Sequence, residues 1–152
     1  MRGKPLEVPI SGRNARRVIF GALNLVTGYR LFLAREHQQA VDFQAFLPVI
    51  RHHYRGWHVA LLLDEDSCHT AQGSQELAAE LGMKLLWLPK RCPELNGMDH
   101  LWGHGKDHLC ANYQYADIDG QAQRFIRYLQ GLSNHDALRQ AGILSEDFWL
   151  RL

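Results

Sequence analysis

Apolar residues along this chain follow three rhythms, each of which predicts a different element. Residues 18–25 (VIFGALNL) and 29–33 (YRLFL) are short apolar runs on either side of Thr27-Gly28. Gly28 supplies turn chemistry, so the pair predicts a β-hairpin. Over residues 38–54, Val41, Phe43, Phe46, Leu47 and Ile50 fall at helical spacing with Pro48 among them. Proline removes a backbone donor and crowds the preceding turn, which predicts a kinked helix. Residues 58–63 (HVALLL) and 84–88 (KLLWL) are continuously apolar. That is the pattern of strands buried on both faces. Between them, residues 74–81 carry Leu77, Ala78 and Leu81 at helical spacing, with Gly82 as a stop. A strand, a helix and a strand predict parallel pairing through a right-handed crossover. The fold class is α/β.

Pro89 and Pro93 then bracket a loop, and Asn96 is placed to cap a helix through Met98, Leu101, Trp102 and Leu109. Gly103 and Gly105 weaken that helix in isolation. Ala122, Phe125, Ile126 and Leu129 predict an amphipathic helix, followed by a short one near Leu138. At the other end, residues 1–17 hold Gly3, Pro5, Pro9 and Gly12 as breakers, with Arg2, Lys4, Arg13, Arg16 and Arg17 against Glu7 alone. They predict a basic, irregular arm.

A length of 152 residues at 46% hydrophobic content suits a single domain, 1–152, with a real core. The net charge is +1, so bulk charge does not call for nucleic acid and any DNA contact has to be local. Cys68, Cys92 and Cys110 are odd in number and form no C-x-x-C pair, which fits free thiols in a reducing compartment. No apolar run reaches the roughly 18 to 20 residues that span a bilayer, and the polar start with Arg2 and Lys4 has no signal-peptide core. A cytoplasmic protein without a membrane partner is expected.

Candidate chemistry concentrates on two acids. Asp64 directly follows the apolar run HVALLL, and Asp99 falls in the first turn of the helix that Asn96 caps. In α/β sheets ligands bind beyond the carboxyl ends of the strands, where Asp64 sits and where Asp99 could reach. Carboxylates suit Mg2+ or Mn2+, and metal-held oxygen chemistry could follow. The bland alternative is that Asp64 is a turn residue and Asp99 a complement to the helix dipole.

The flanking residues add a family resemblance. Residues 61–69 (LLLDEDSCH) resemble the D-N-x-x-x-H segment of mariner-related bacterial insertion-sequence transposases of the DDE type. Residues 88–102 (LPKRCPELNGMDHLW) resemble their L-P-x-x-x-P-x-L-N-P-I-E-x-x-W block, with Lys106 near the lysine that follows. Thirty-four residues separate Asp64 from Asp99, within the mid-thirties spacing of the superfamily's second and third catalytic acids. Phe20-Gly21-Ala22-Leu23 and Thr27-Gly28 also match the family's G-A-L and T-G positions.

The resemblance implies a ribonuclease H-like mixed sheet flanked by helices, and hydrolytic nicking followed by transfer of a 3′-hydroxyl into target DNA. It implies Asp64 and Asp99 as catalytic metal ligands for Mg2+ or Mn2+, and transposon-end and target DNA as partners. His69 falls on the family histidine that could orient a metal-bound water or phosphate; a plain loop histidine is the alternative. Glu65, Asn96, Lys90 and Arg91 are expected beside the site, the last two as phosphate contacts.

The chain departs from the family pattern at four places. Glu65 replaces Asn, Gly97-Met98 replaces Pro-Ile, and Asp99 replaces the commoner Glu. The family's first aspartate lies on a strand preceding a segment that here reads Arg2-Gly3-Lys4-Pro5, so that strand is expected to be missing. Glu7 does not match its position, and the third ligand place stays empty. A partner transposase chain or a separate N-terminal segment is the expected supplier. The competing reading is a non-catalytic transposase remnant that binds DNA or a partner transposase. Two side questions complete the expectations. His100, His104 and His108 recur every four residues and could bind a transition metal, but a solvated or packed histidine face is favoured. Trp87 and Trp102 are expected in the core.

Overall fold

The computed structural model describes residues 6–9, 16–109 and 117–150, with side chains from residue 16 onward. Arg2, Gly3, Lys4, Pro5, Arg13 and Cys110 lie outside the described residues. The elements run β1 (Leu6–Pro9), β2 (Arg16–Leu23), β3 (Arg30–Arg35), α1 (Ala40–His53), β4 (Val59–Leu63), α2 (Ser67–Thr70), α3 (Gln72–Glu80) and β5 (Met83–Trp87). A 3-10 turn at Pro93–Leu95 leads into α4 (Gly97–Leu109), α5 (Ile118–Gly131) and α6 (Asn134–Gln140).

The hairpin forms as the pattern predicts, with β2 and β3 antiparallel from Val18↔Arg35 to Leu23↔Arg30. Its turn is held by the Asn24 side-chain carbonyl, which accepts from the Val26 and Thr27 amides at 2.9 and 3.0 Å. Gly28 adopts φ +82°, the left-handed region that a side chain disfavours, and a Cβ there would collide with the Asn134 carbonyl. The arm is not irregular throughout. Leu6–Pro9 pairs antiparallel with Arg16–Ile19, because the first residues of β2 extend beyond the predicted hairpin and offer an edge.

Helix α1 contains Pro48 within its fourteen residues. It buries Phe43, Phe46, Leu47 and Ile50 on one face, the spacing that predicted it. Asp42 accepts from the Gln39 amide at 3.1 Å and pairs with Arg35 at 3.0 Å, which fixes the helix start to β3. Strands β4 and β5 pair in parallel, Val59↔Met83 to Leu63↔Trp87, with α3 as the crossover.

Burial on both faces is not what β4 and β5 adopt. Leu61 and Leu63 are buried, but Ala60 is exposed and Leu86 and Trp87 are each 38% accessible. Leu86 and Trp87 are neighbours on opposite faces of β5 and both stay exposed at its end, so Trp87 is not a core residue, whereas Trp102 is. Two cores result. One lies between β2 and α1 and takes in Leu61 and Leu63; the other lies between the opposite face of β2 and α4, α5 and α6. Among the described residues the sheet is in two pieces, β1–β2–β3 and β4–β5.

Candidate functional site

Asp64 is the first residue past β4, and the ladder continues beside it through the Leu88 amide donating to the Leu63 carbonyl at 2.7 Å. The acid is therefore held at the carboxyl end of a strand. The next turn is built by Asp66, whose side chain accepts from the Cys68 amide at 3.2 Å and caps α2. Gln38 donates to the other Asp66 oxygen at 3.0 Å, tying this turn to the segment before α1.

Helix α2 escaped the sequence reading because four residues carry no periodicity, yet it delivers His69 to the site. The His69 ring is fully buried against Phe43, ring centroids 4.6 Å apart. Its Nδ1 lies 2.8 Å from Asp64 Oδ1 and 3.1 Å from the Asp64 carbonyl. His69 is thus a packed support under Asp64, not a loop histidine. Ser74 donates to the Cys68 carbonyl at 2.7 Å and receives from Gln44 at 3.2 Å, locking α2 to α1 and α3.

Asp99 comes from the other side. Asn96 is 4% accessible and its Oδ1 accepts from the Met98 amide at 3.0 Å, as a cap should, placing Asp99 in the first turn of α4. Two close approaches seat α4. A Cβ on Gly21 would lie 2.5 Å from the Trp102 ring and 2.8 Å from Met98, so only glycine lets these side chains cross β2. A Cβ on Gly105 would lie 2.6 Å from Phe125, so the glycine that weakens α4 in isolation lets α5 pack against it.

Between the two acids lies an open cavity of about 930 Å³. Asp64, Glu65 and Asp66 line it from the segment after β4; Lys90, Arg91, Cys92, Asn96 and Asp99 line it from the loop after β5 and the start of α4. Lys90, largely in solvent, stands 3.9 Å from the partly exposed Glu65. Arg91 holds φ +60°, an uncommon value for a side-chain-bearing residue, in the loop that closes the cavity. The Trp149 indole donates to the Leu95 carbonyl at 2.8 Å and pins the end of that loop. Four carboxylates against two cations leave the cavity acidic.

An acidic, oxygen-lined cavity fits a hard divalent cation in kind. In number the ligands are few, since no group of three His, Cys, Asp or Glu side chains among the described residues is placed to hold a metal. The histidine face does not form one site. His104 and His108 lie tilted to each other with ring centroids 4.3 Å apart, and both stack on Tyr128, whose hydroxyl lies 3.1 Å from His104 Nε2. His100 turns away to the Glu94 carbonyl at 3.1 Å. Desolvation, and then the neighbouring His108, lower the His104 pKa below its ordinary value. Arg17, at the end of the basic arm, is engaged with Asp119 at 2.7 Å. Among the described residues no helix is long and apolar enough to cross a membrane.

No curated protein matches the sequence significantly. Solved structures do match the fold. The catalytic domain of Mos1 mariner transposase superposes with a TM-score of 0.72 at 15% identity, covering 94% of this chain and 76% of that one. The same catalytic domain solved with raltegravir and Mg gives 0.73 at 16% identity, covering 94% and 78%. A Mos1 paired-end complex with the left transposon end gives 0.70 at 16% identity, covering 97% of this chain and 49% of that one. The sequence model of the DDE superfamily endonuclease family matches residues 1–120. By that match over most of its length the chain belongs to the DDE superfamily endonucleases, and its α/β fold is that of a ribonuclease H-like transposase catalytic domain.

Proposed function

We propose that Asp64 and Asp99 together hold a divalent cation, Mg2+ or Mn2+, in a site that cuts DNA and transfers strands during transposition of an insertion sequence. The observation that carries this is the shared cavity, which the two acids line from different elements. When bound, such an ion activates a water or 3′-hydroxyl and stabilises the leaving oxygen.

The chain's own residues divide the remaining work. His69 keeps Asp64 aimed by gripping one carboxylate oxygen, leaving the carboxylate group presented at the cavity wall. Asn96 fixes the first turn of α4 and so the direction of Asp99. Lys90 and Arg91, both exposed on the rim, are placed to meet phosphates of transposon-end or target DNA. Glu65 lies opposite Lys90 and offsets it until a polyanion competes.

Mn2+ titrated into the 15N-labelled chain tests the site. Amides of residues 64–66 and 96–99 should broaden first, and Asp64→Asn with Asp99→Asn should abolish the effect. Broadening centred on His104 and His108, or unchanged in the double variant, refutes the assignment. A non-catalytic remnant, in which this fold only binds DNA or a partner transposase, is supported by the small number of ligands among the described residues. It predicts DNA binding that the double variant leaves intact, and no metal-dependent nicking when a partner transposase is added.

A further inference from the structure

Of the three histidines that recur along α4, two come together. His104 and His108 lie one helical turn apart with ring centroids separated by 4.3 Å, while His100 is held at the Glu94 carbonyl. Gly105 lets α5 approach closely, and Tyr128 of α5 lies against both rings, with centroids 5.8 and 5.6 Å away. Two helices thus fix the pair, yet it stays open to water: His108 is exposed and His104 half-buried.

Packing does not use up the ring nitrogens. The His108 Nδ1 lies 2.9 Å from the His104 carbonyl, which can only accept, so Nδ1 carries the proton and the neutral ring keeps its lone pair on Nε2. His104 meets the Tyr128 hydroxyl through Nε2 at 3.1 Å, and a hydroxyl that donates there marks that nitrogen as the basic one.

The surroundings keep His104 uncharged without barring a cation. Desolvation, and then His108, hold its pKa below the ordinary value, so the ring is neutral near pH 7, the state in which imidazole binds metals. Asp107 favours a positive charge here; Arg139 opposes one, but is itself paired with Asp136 at 3.3 Å.

We infer that His104 and His108 form a separate cation site, one for a borderline transition metal such as Zn2+, on the outer face of α4. Two histidines at i and i+4 share one helix face and can reach the same ion. Imidazole suits zinc, copper and nickel, whereas Mg2+ and Mn2+ go with carboxylates, so this site and the acid cavity select different ions. Water fills the remaining positions. An ion held by both rings ties together the last turn of α4, which ends at Leu109. The inference does not depend on Asp64 and Asp99 holding a metal.

The test adds Zn2+ alone to the full chain, its accessible thiols alkylated so that they do not compete. At about ten times its Kd, Zn2+ should slow amide exchange at residues 105–109 about tenfold and shift the imidazole 15N signals of His104 and His108. His108→Gln, at an exposed position, should keep the parent Tm without metal and raise the Kd at least about tenfold, since one imidazole loses its chelating partner. His100→Gln, and Asp64→Asn combined with Asp99→Asn, should leave both responses in place. No response up to millimolar Zn2+, a response that survives His108→Gln, or one lost with His100 or with the two acids overturns the inference and leaves the rings as packing alone.

Discussion

The two half-sheets of the molecule are built by opposite means and buried unequally. The β1–β2–β3 half is antiparallel, closed by a tight turn, and covered by α4, α5 and α6. The β4–β5 half is a single parallel pair that buries Leu61 and Leu63 in the core with α1, while Leu86 and Trp87 at the end of β5 stay exposed. Each half contributes one acid to the shared cavity: Asp64 from the end of β4, Asp99 from the helix seated on β2. Between the two sheets the union is one of side chains, so the geometry of the site depends on how well the cores hold the halves in register.

The largest effects should come from truncating the aromatic residues that hold each half. Trp102→Ala and Phe46→Ala should each cost about 3 to 5 kcal/mol in urea unfolding. They should differ in reach. Phe46 belongs to the core that takes in both β2 and β4, so its loss should speed amide exchange in both half-sheets. Trp102 belongs to the core of α4, α5 and β2, so its loss should speed exchange around residues 97–102 and spare β4–β5. Identical exchange maps for the two variants would mean that the halves unfold as one unit.

Next comes overpacking at the point where α4 crosses β2. Gly21→Val puts two methyl groups where Trp102 and Met98 already touch, and should cost about 1 to 3 kcal/mol by thermal or urea unfolding. It should also move Asp99 relative to Asp64 and weaken Mn2+ binding. A stable Gly21→Val chain with unchanged metal response would show that Gly21 serves only the hairpin.

What was legible in the sequence follows from this contrast. The hairpin, α1, the crossover unit and the Asn96 cap were readable because turn chemistry and periodicity are local. β1 was not: Leu6–Pro9 is a strand only because Arg16–Ile19 offers an edge, and its prolines and basic neighbours read as a breaker-rich arm. Likewise α2 is too short to carry a period, so the burial of His69 against Phe43 was out of reach even though its sequence position was noticed. The exposure of Leu86 and Trp87 depends on which elements pack beside the end of β5, which no window of apolar residues encodes. Asp64 and Asp99 were found from their neighbours; that they line one cavity is a tertiary fact.

A third prediction sharpens the roles of the two acids. Asp64 is supported by a buried imidazole, whereas Asp99 relies on the start of a helix. His69→Ala should remove a hydrogen-bond partner and leave a cavity beside Phe43, costing about 1 to 3 kcal/mol in unfolding. Metal affinity should fall about 10- to 100-fold, with the broadening of residues 96–99 surviving longer than that of residues 64–66. Equal loss at both places would make His69 a general stabiliser of the cavity.

The smallest effect should come from the histidine stack, which belongs to the α4–α5 half alone. Burial, and then His108, lower the His104 pKa, with Asp107 raising it and Arg139 lowering it further. Its ring accepts or donates toward Tyr128 at 3.1 Å, and the His108 ring lies 4.3 Å away. Because the folded value lies below the ordinary 6.5, the unfolded chain binds the proton more readily in this window. The stabilisation is therefore complete above pH 6.5 and is lost as pH falls through the folded value. Tm measured between pH 7.5 and 5 should drop more steeply in the parent chain than in His104→Gln, with the difference confined to the acid side. Amides of α4 and α5 should account for it, while β4 and β5 keep the same exchange rates. A parallel pair of Tm profiles would show that the stack titrates without consequence for the fold, and that the two halves respond to acid alike.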